Sequence, residues 1–90
     1  MEIEVENTVA NKAEMAGWFQ RKVHWGVNRK GAPDRVFIKD GRVVWIEFKD
    51  RNEEPNAQQE REHKRMRAAG AELHVVDTVR EGLRILGIRP

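Results

Sequence analysis

Asp40-Gly41 stands between two apolar runs, Val36-Phe37-Ile38 and Val43-Val44-Trp45-Ile46. An Asp-Gly pair in that setting predicts a two-residue hairpin of type I′. So short a turn fixes the register: Lys39 pairs with Arg42, Ile38 with Val43, Phe37 with Val44, Val36 with Trp45, Arg35 with Ile46 and Asp34 with Glu47. Opposed residues point to the same face with Cβ atoms about 5 Å apart, and Lys49, two residues beyond Glu47, shares that face on the diagonal. The hairpin thus brings an Asp, a Glu and a Lys together at one end of a sheet. A bulge near Pro33 would shift the last pair.

Two carboxylates opposed in this way destabilise a strand pair unless something positive lies between them, and a hard divalent cation with oxygen ligands meets that need. A plainer account also exists. Asp after Pro is ordinary turn chemistry, and Glu-x-Lys on a strand is often a solvated ion pair. Glu47 and Lys49, however, interrupt the otherwise apolar run from Val43 to Phe48, which has the character of a central strand, where charge is costly.

The rest of the chain supplies layers for this hairpin. Residues 3–16 carry a helical stripe of Glu6, Val9, Ala10, Ala13 and Ala16 or Gly17. Glu6 heads its core-facing side; it either serves the helix dipole or lies near the cation or Lys49. Gly17 breaks the helix, and residues 18–27, with Trp18, Phe19, Val23, Trp25 and Val27, read as a strand followed by a basic loop to Pro33. Beyond the polar connector from Asp50 to Asn56, a helix over 57–69 closes at Gly70, its inward stripe being Gln59, His63, Met66 and Ala69 or Gly70. Gln59 is then either a surface amide or a polar group that needs a partner at the sheet. Leu73 to Val76 is a buried strand, and Thr78-x-x-Glu81 is a capping box for a last helix ended by Gly87. A strand-helix-strand unit of this length implies a parallel crossover, so the order αβββαβα predicts an α/β fold with a central mixed sheet.

At 90 residues the chain predicts one small domain spanning 1–90. A domain of this size buries only about 60% of its unfolded surface, which favours self-association. The strand over 18–27 has large apolar residues at both parities, more than one sheet face hides, so a homodimer is expected. Absence of Cys excludes disulfides and Cys-based zinc sites, and His24, His63 and His74 lack ligand-like spacing; they are expected to pack or to lie at the surface. Trp18, Trp25 and Trp45 suit a core or subunit interface better than base stacking. No Gly-rich phosphate loop suggests a small-molecule cofactor. With neither a basic-apolar leader nor a long apolar span, no membrane partner is expected and a cytoplasmic location is. Net charge is only +2, yet Arg21, Lys22, Arg29, Lys30, Arg35, Lys39 and Arg42 fall in one stretch around the proposed site. Such a patch fits either a phosphate backbone or a solvated face.

Pro33-Asp34, twelve residues, then Glu47-Phe48-Lys49 resembles the signature of the PD-(D/E)XK nucleases, whose restriction-endonuclease-like core is αβββαβ. Lys30-Gly31-Ala32-Pro33-Asp34-Arg35 with Gln59 downstream resembles the VRR-NUC branch. The likeness spans nearly the whole chain, from Glu6 through Pro55 and Gln59 to Gly70. Ala32 and Phe48 depart from the residues common there, but neither position contributes a metal-binding side chain.

The resemblance implies a divalent-metal-dependent endonuclease acting on DNA. Asp34, Glu47 and the backbone carbonyl of Phe48 would hold Mg²⁺ or Mn²⁺, and Lys49 would position the attacking water. It places Glu6 near that ion or a second one, and Gln59 beside Lys49 and the substrate phosphate. Arg21, Lys22, Arg29, Lys30 and Arg35 would meet the DNA backbone. Standalone members are similar to dimeric enzymes that resolve four-way (Holliday) junctions, so branched DNA is the expected substrate. Alternatives are a catalytically silent DNA-binding or assembly module, and a processing nuclease within a larger replication, packaging or restriction complex.

Overall fold

The computed structural model describes residues 2–25 and 31–89. Helix α1 (Glu2–Met15) turns the expected stripe inward, burying Glu6, Val9, Ala10 and Ala13. Strands β1 (Phe19–Lys22), β2 (Arg35–Lys39) and β3 (Arg42–Phe48) form an antiparallel meander; α2 (Ala57–Ala68) then crosses to β4 (Glu72–Val76), parallel to β3, and α3 (Val79–Ile85) follows. The result is a four-stranded mixed sheet in the order β1-β2-β3-β4. This is the α/β architecture expected of a PD-(D/E)XK-like core. Among the described residues no helix is long and apolar enough to cross a membrane.

The turn behaves as its chemistry requires. Asp40 (φ 50°) and Gly41 (φ 81°) both occupy the left-handed region that a type I′ turn demands. The ladder from Lys39–Arg42 to Arg35–Ile46 matches the expected register pair for pair.

Strand β1 is shorter than the expected 18–27. Its ladder ends at Lys22–Arg35, the first residue of β2, and only the Val23 amide continues the pairing by donating to the Asp34 carbonyl at 2.8 Å. Trp25 leaves the sheet edge, packs against Trp45 with ring centroids 5.8 Å apart, and donates its indole N–H to the Pro33 carbonyl at 2.9 Å. The loop from Asn28 to Lys30 and the residues Gly26 and Val27 lie outside the described residues.

The two sheet faces are covered differently. Helices α1 and α3 enclose Phe37, Val44, Ile46, Phe48 and Val76 together with Val9, Ala13, Trp18, Ile85 and Leu86, an apolar core built from alternate strand positions. Helix α2 lies over the other face, at the β4 side, and buries a single side chain of its own, His63. Asn56 caps α2 in a reciprocal capping box with Gln59. Thr78 caps α3 through its hydroxyl alone, because Glu81 turns to Arg84 instead of completing the expected box.

Candidate active site

Asp34 sits one residue before β2, where the ladder stops. Its amide donates to the Ile46 carbonyl at 3.1 Å, although Ile46 is already the partner of Arg35. The expected Asp34–Glu47 pair is therefore absent from the ladder; an irregularity follows the buried Pro33, and two residues of one strand converge on one of the other. The carboxylate still arrives at the intended place, because its Oδ2 accepts the Phe48 amide at 2.8 Å, across the end of β3.

Glu47 is only 4% exposed. Its Oε2 accepts a long hydrogen bond of 3.4 Å from Gln59 Nε2, and its Oε1 lies 3.8 Å from His63 Nε2. Burial and then the Asp34 charge push its pKa up to about 8, opposed by Lys49. Asp34 is also raised, by burial foremost and in part by Glu6, while the Phe48 amide and the charges of Lys22 and Lys49 pull the other way. Lys49 is half-buried, and its backbone amide is anchored on the Val76 carbonyl at 2.9 Å.

Two contacts differ from expectation. Glu6, 6% exposed, accepts from Arg35 Nε at 2.7 Å and lies 3.7 Å from Lys22 Nζ, so its partner is Arg35 rather than Lys49. A buried carboxylate requires a fixed partner, and Arg35, on the same sheet face as the core, supplies one. Arg35 also donates to Gln20 Oε1 at 2.6 Å; only 13% of its side chain is exposed, which withdraws it from the set free to meet phosphate. Gln59 likewise reaches Glu47 rather than Lys49, since its Oε1 is engaged by the Asn56 amide and its Nε2 is left to point at β3.

Arg21 and Lys22 are exposed, Arg21 lying over the Phe19 ring at 4.3 Å. Arg29 and Lys30 lie outside the described residues.

Two groupings were not anticipated from the sequence, although His63 itself falls on the expected inward stripe. His63 is 1% exposed and faces Glu47; one helical turn after Gln59 on the inward stripe was the available signal. An exposed acidic group of Glu2, Asp50 and Glu53 also forms beside the site, the Glu2 amide donating to Asp50 Oδ1 at 2.7 Å. The pKa of Glu2 is raised by burial first, then by Asp50, Glu53 and Asp34. Nothing in the local sequence joins residues so far apart.

The donor set suits a hard divalent cation. Both carboxyl groups are shifted upward, Asp34 by burial foremost and Glu47 by burial and then by the Asp34 charge, and Glu47 Oε1 is a buried oxygen with no hydrogen-bond partner. A divalent ion would stabilise both as carboxylates.

No protein-family model matches the chain. A solved structure described as a VRR_NUC domain is 31% identical, superposes with a TM-score of 0.84, and is matched over 96% of this chain and 94% of its own. The chain belongs to the VRR-NUC domain family. This VRR-NUC chain is also 39% identical over 51 residues to "Putative nuclease p44" of Acyrthosiphon pisum secondary endosymbiont phage 1. That match takes in 56% of this chain and 55% of the phage protein, so the chain spans about half the length of this relative.

Proposed function

We propose that residues 1–90 act as one cytoplasmic nuclease domain, a divalent-metal-dependent endonuclease that hydrolyses DNA phosphodiesters and prefers branched DNA such as the four-way junction. The carrying observation is the corner in which Asp34, locked to the Phe48 amide, faces the buried Glu47 and raises its pKa beside Lys49. Membership of the VRR-NUC family and the likeness to a phage protein named as a nuclease support the same reading.

Asp34, Glu47 and the Phe48 carbonyl would hold Mg²⁺ or Mn²⁺, which when bound polarises the phosphodiester and lowers the pKa of a coordinated water. Lys49 would orient the attacking water and offset the charge that develops on the phosphorane. Gln59 holds Glu47, and Glu6 fixes Arg35 beside the corner. Arg21 and Lys22, with Arg29 and Lys30, meet the DNA backbone, and such contacts make binding salt-dependent.

A homodimer is supported by an exposed apolar row across the sheet: Phe19 (49% exposed) pairs with Ile38 (36%), and Ile38 with Val43 (41%). A two-fold partner on this row would present two symmetry-related sites to a junction.

The test is cleavage of labelled single-stranded, duplex, flap and four-way-junction DNA with Mg²⁺, with Mn²⁺ and with chelator. Metal-dependent cutting fastest on the junction is expected, and Asp34→Asn or Glu47→Gln should abolish it while the domain stays folded. Lys49→Ala should lose most turnover but keep DNA binding, because its role lies in the transition state. Full activity in either carboxylate variant removes the metal assignment, and a monomer by light scattering that cuts plain duplex equally fast removes the junction reading.

A further inference from the structure

His63 is the side chain of α2 that the fold buries, and the reading given above leaves it without a task. Its Nε2 and the facing Glu47 Oε1 are both buried and both lack a hydrogen-bond partner. Buried polar atoms rarely remain so, and two orphans 3.8 Å apart are each other's obvious partners across a gap slightly too long for a hydrogen bond. One proton shared between them satisfies both.

The imidazole also lies beside the backbone of Gly31. Gly31 is itself seated on the start of α2 so closely that a Cβ there would come within 2.9 Å of the Gln58 carbonyl oxygen and the Gln59 Cα, with φ at +91°. From Gly31 the chain runs through Pro33 to Asp34, whose carboxylate grips the Phe48 amide next to Glu47. Gly31, Asp34, Phe48, Glu47 and His63 are thus neighbours around one corner.

We infer that His63 is a positioning residue that sets the spacing of the Asp34 and Glu47 carboxylates by holding Glu47 from α2 through its Nε2. The inference rests on the cation reading of that corner. Outer partners that orient metal-binding carboxylates typically contribute about 10–100-fold in metal affinity.

The test is Mn²⁺ binding to the DNA-free protein by titration calorimetry, for the parent, Glu47→Gln, His63→Leu, His63→Gln and His63→Asn. Gln places its terminal amide where Nε2 lies and can still hold Glu47; Asn reaches only the position of Nδ1. His63→Leu and His63→Asn should bind Mn²⁺ about 10–100-fold more weakly, with the deficit in cleavage recovered at saturating Mn²⁺, whereas His63→Gln should stay within about threefold of the parent. Should the leucine variant fail to fold by thermal unfolding, the contrast between Gln and Asn carries the test. Parent-like binding in His63→Leu or His63→Asn, beside lost binding in Glu47→Gln, overturns the role of His63 alone. A loss in His63→Gln as large as in His63→Leu overturns it too, pointing to imidazole as a direct ligand. A parent that binds no Mn²⁺, or a Glu47→Gln variant that binds it normally, overturns the cation reading itself.

Discussion

The sheet has one face that serves the fold and one that serves the site. Under α1 and α3, Phe37, Val44, Ile46, Phe48 and Val76 pack into one apolar cluster, and several are wholly excluded from water. Under and beside α2, the buried groups include Glu47 and His63 beside Leu73, two of the polar atoms lack partners, and a row of Phe19, Ile38 and Val43 is left open. The first arrangement is apolar but for the Glu6–Arg35 pair, in which each charge has its partner, whereas the second leaves desolvated polar atoms unpartnered in the corner where two carboxyl groups converge. Removing a side chain should therefore have opposite consequences on the two faces.

The largest effect tests that contrast directly. Phe37→Ala opens a cavity in the fully buried face and should cost about 3–5 kcal/mol in urea unfolding without cation. Glu47→Gln, measured in the same way at pH 7, should leave stability unchanged or raise it, since it removes a desolvated acid facing Asp34. If both variants fall by similar amounts, the division between the faces is wrong.

That division also explains what the sequence made legible. The Asp40-Gly41 turn and the period-two pattern around it determine register without outside help, so the ladder and the apolar face follow from local chemistry. The stripe of Glu6, Val9, Ala10 and Ala13 was readable for the same reason. Contacts around the site were not, because each depends on a choice among distant partners. Glu6 had Lys49 within reach in the pattern but takes Arg35, which the pattern offered to DNA. Gln59 was readable as inward-facing, but its capping bond to Asn56 decided which atom remained for Glu47. The Asp34 irregularity depends on how the Pro33 loop packs on α2, a tertiary event invisible to hairpin register alone.

A pH series sharpens the comparison. Below pH 4.5 Glu47 carries its proton in both the folded and unfolded chain, and above about pH 8 in neither. Between these limits the folded protein retains a proton that the unfolded chain has released, so stability without cation should fall as pH rises, by up to about 5 kcal/mol. Glu47→Gln should flatten that slope. Adding Mg²⁺ or Mn²⁺ should reverse it, because the ion selects the carboxylate, and calorimetry in buffers of different ionisation heat should register proton release on binding near neutrality. A slope that survives Glu47→Gln would assign the effect to another group.

The smallest effect comes from comparing two helix caps that use the same physics on opposite faces. Asn56 Oδ1 accepts the Gln59 amide at 2.9 Å, and Thr78 Oγ1 accepts the Glu81 amide at 3.1 Å. Replacing either with Ala should cost about 1 kcal/mol, read as similar shifts in the urea midpoint. Their consequences for cleavage should part company. Gln59 is the residue whose amide reaches Glu47, and the Asn56 side chain holds the Gln59 backbone N–H while the Asn56 backbone N–H, which Ala retains, holds Gln59 Oε1; Asn56→Ala therefore loosens the site by fraying the first turn that carries Gln59. Thr78 caps a helix on the apolar face, with Glu81 turned outward to Arg84. Asn56→Ala should consequently raise the Mn²⁺ concentration needed for half-maximal cleavage by about two- to fivefold, as loss of a supporting contact does, while Thr78→Ala should leave it unchanged. Equal shifts in the two variants would mean that the metal response follows overall stability, and that the cap of α2 has no special hold on Glu47.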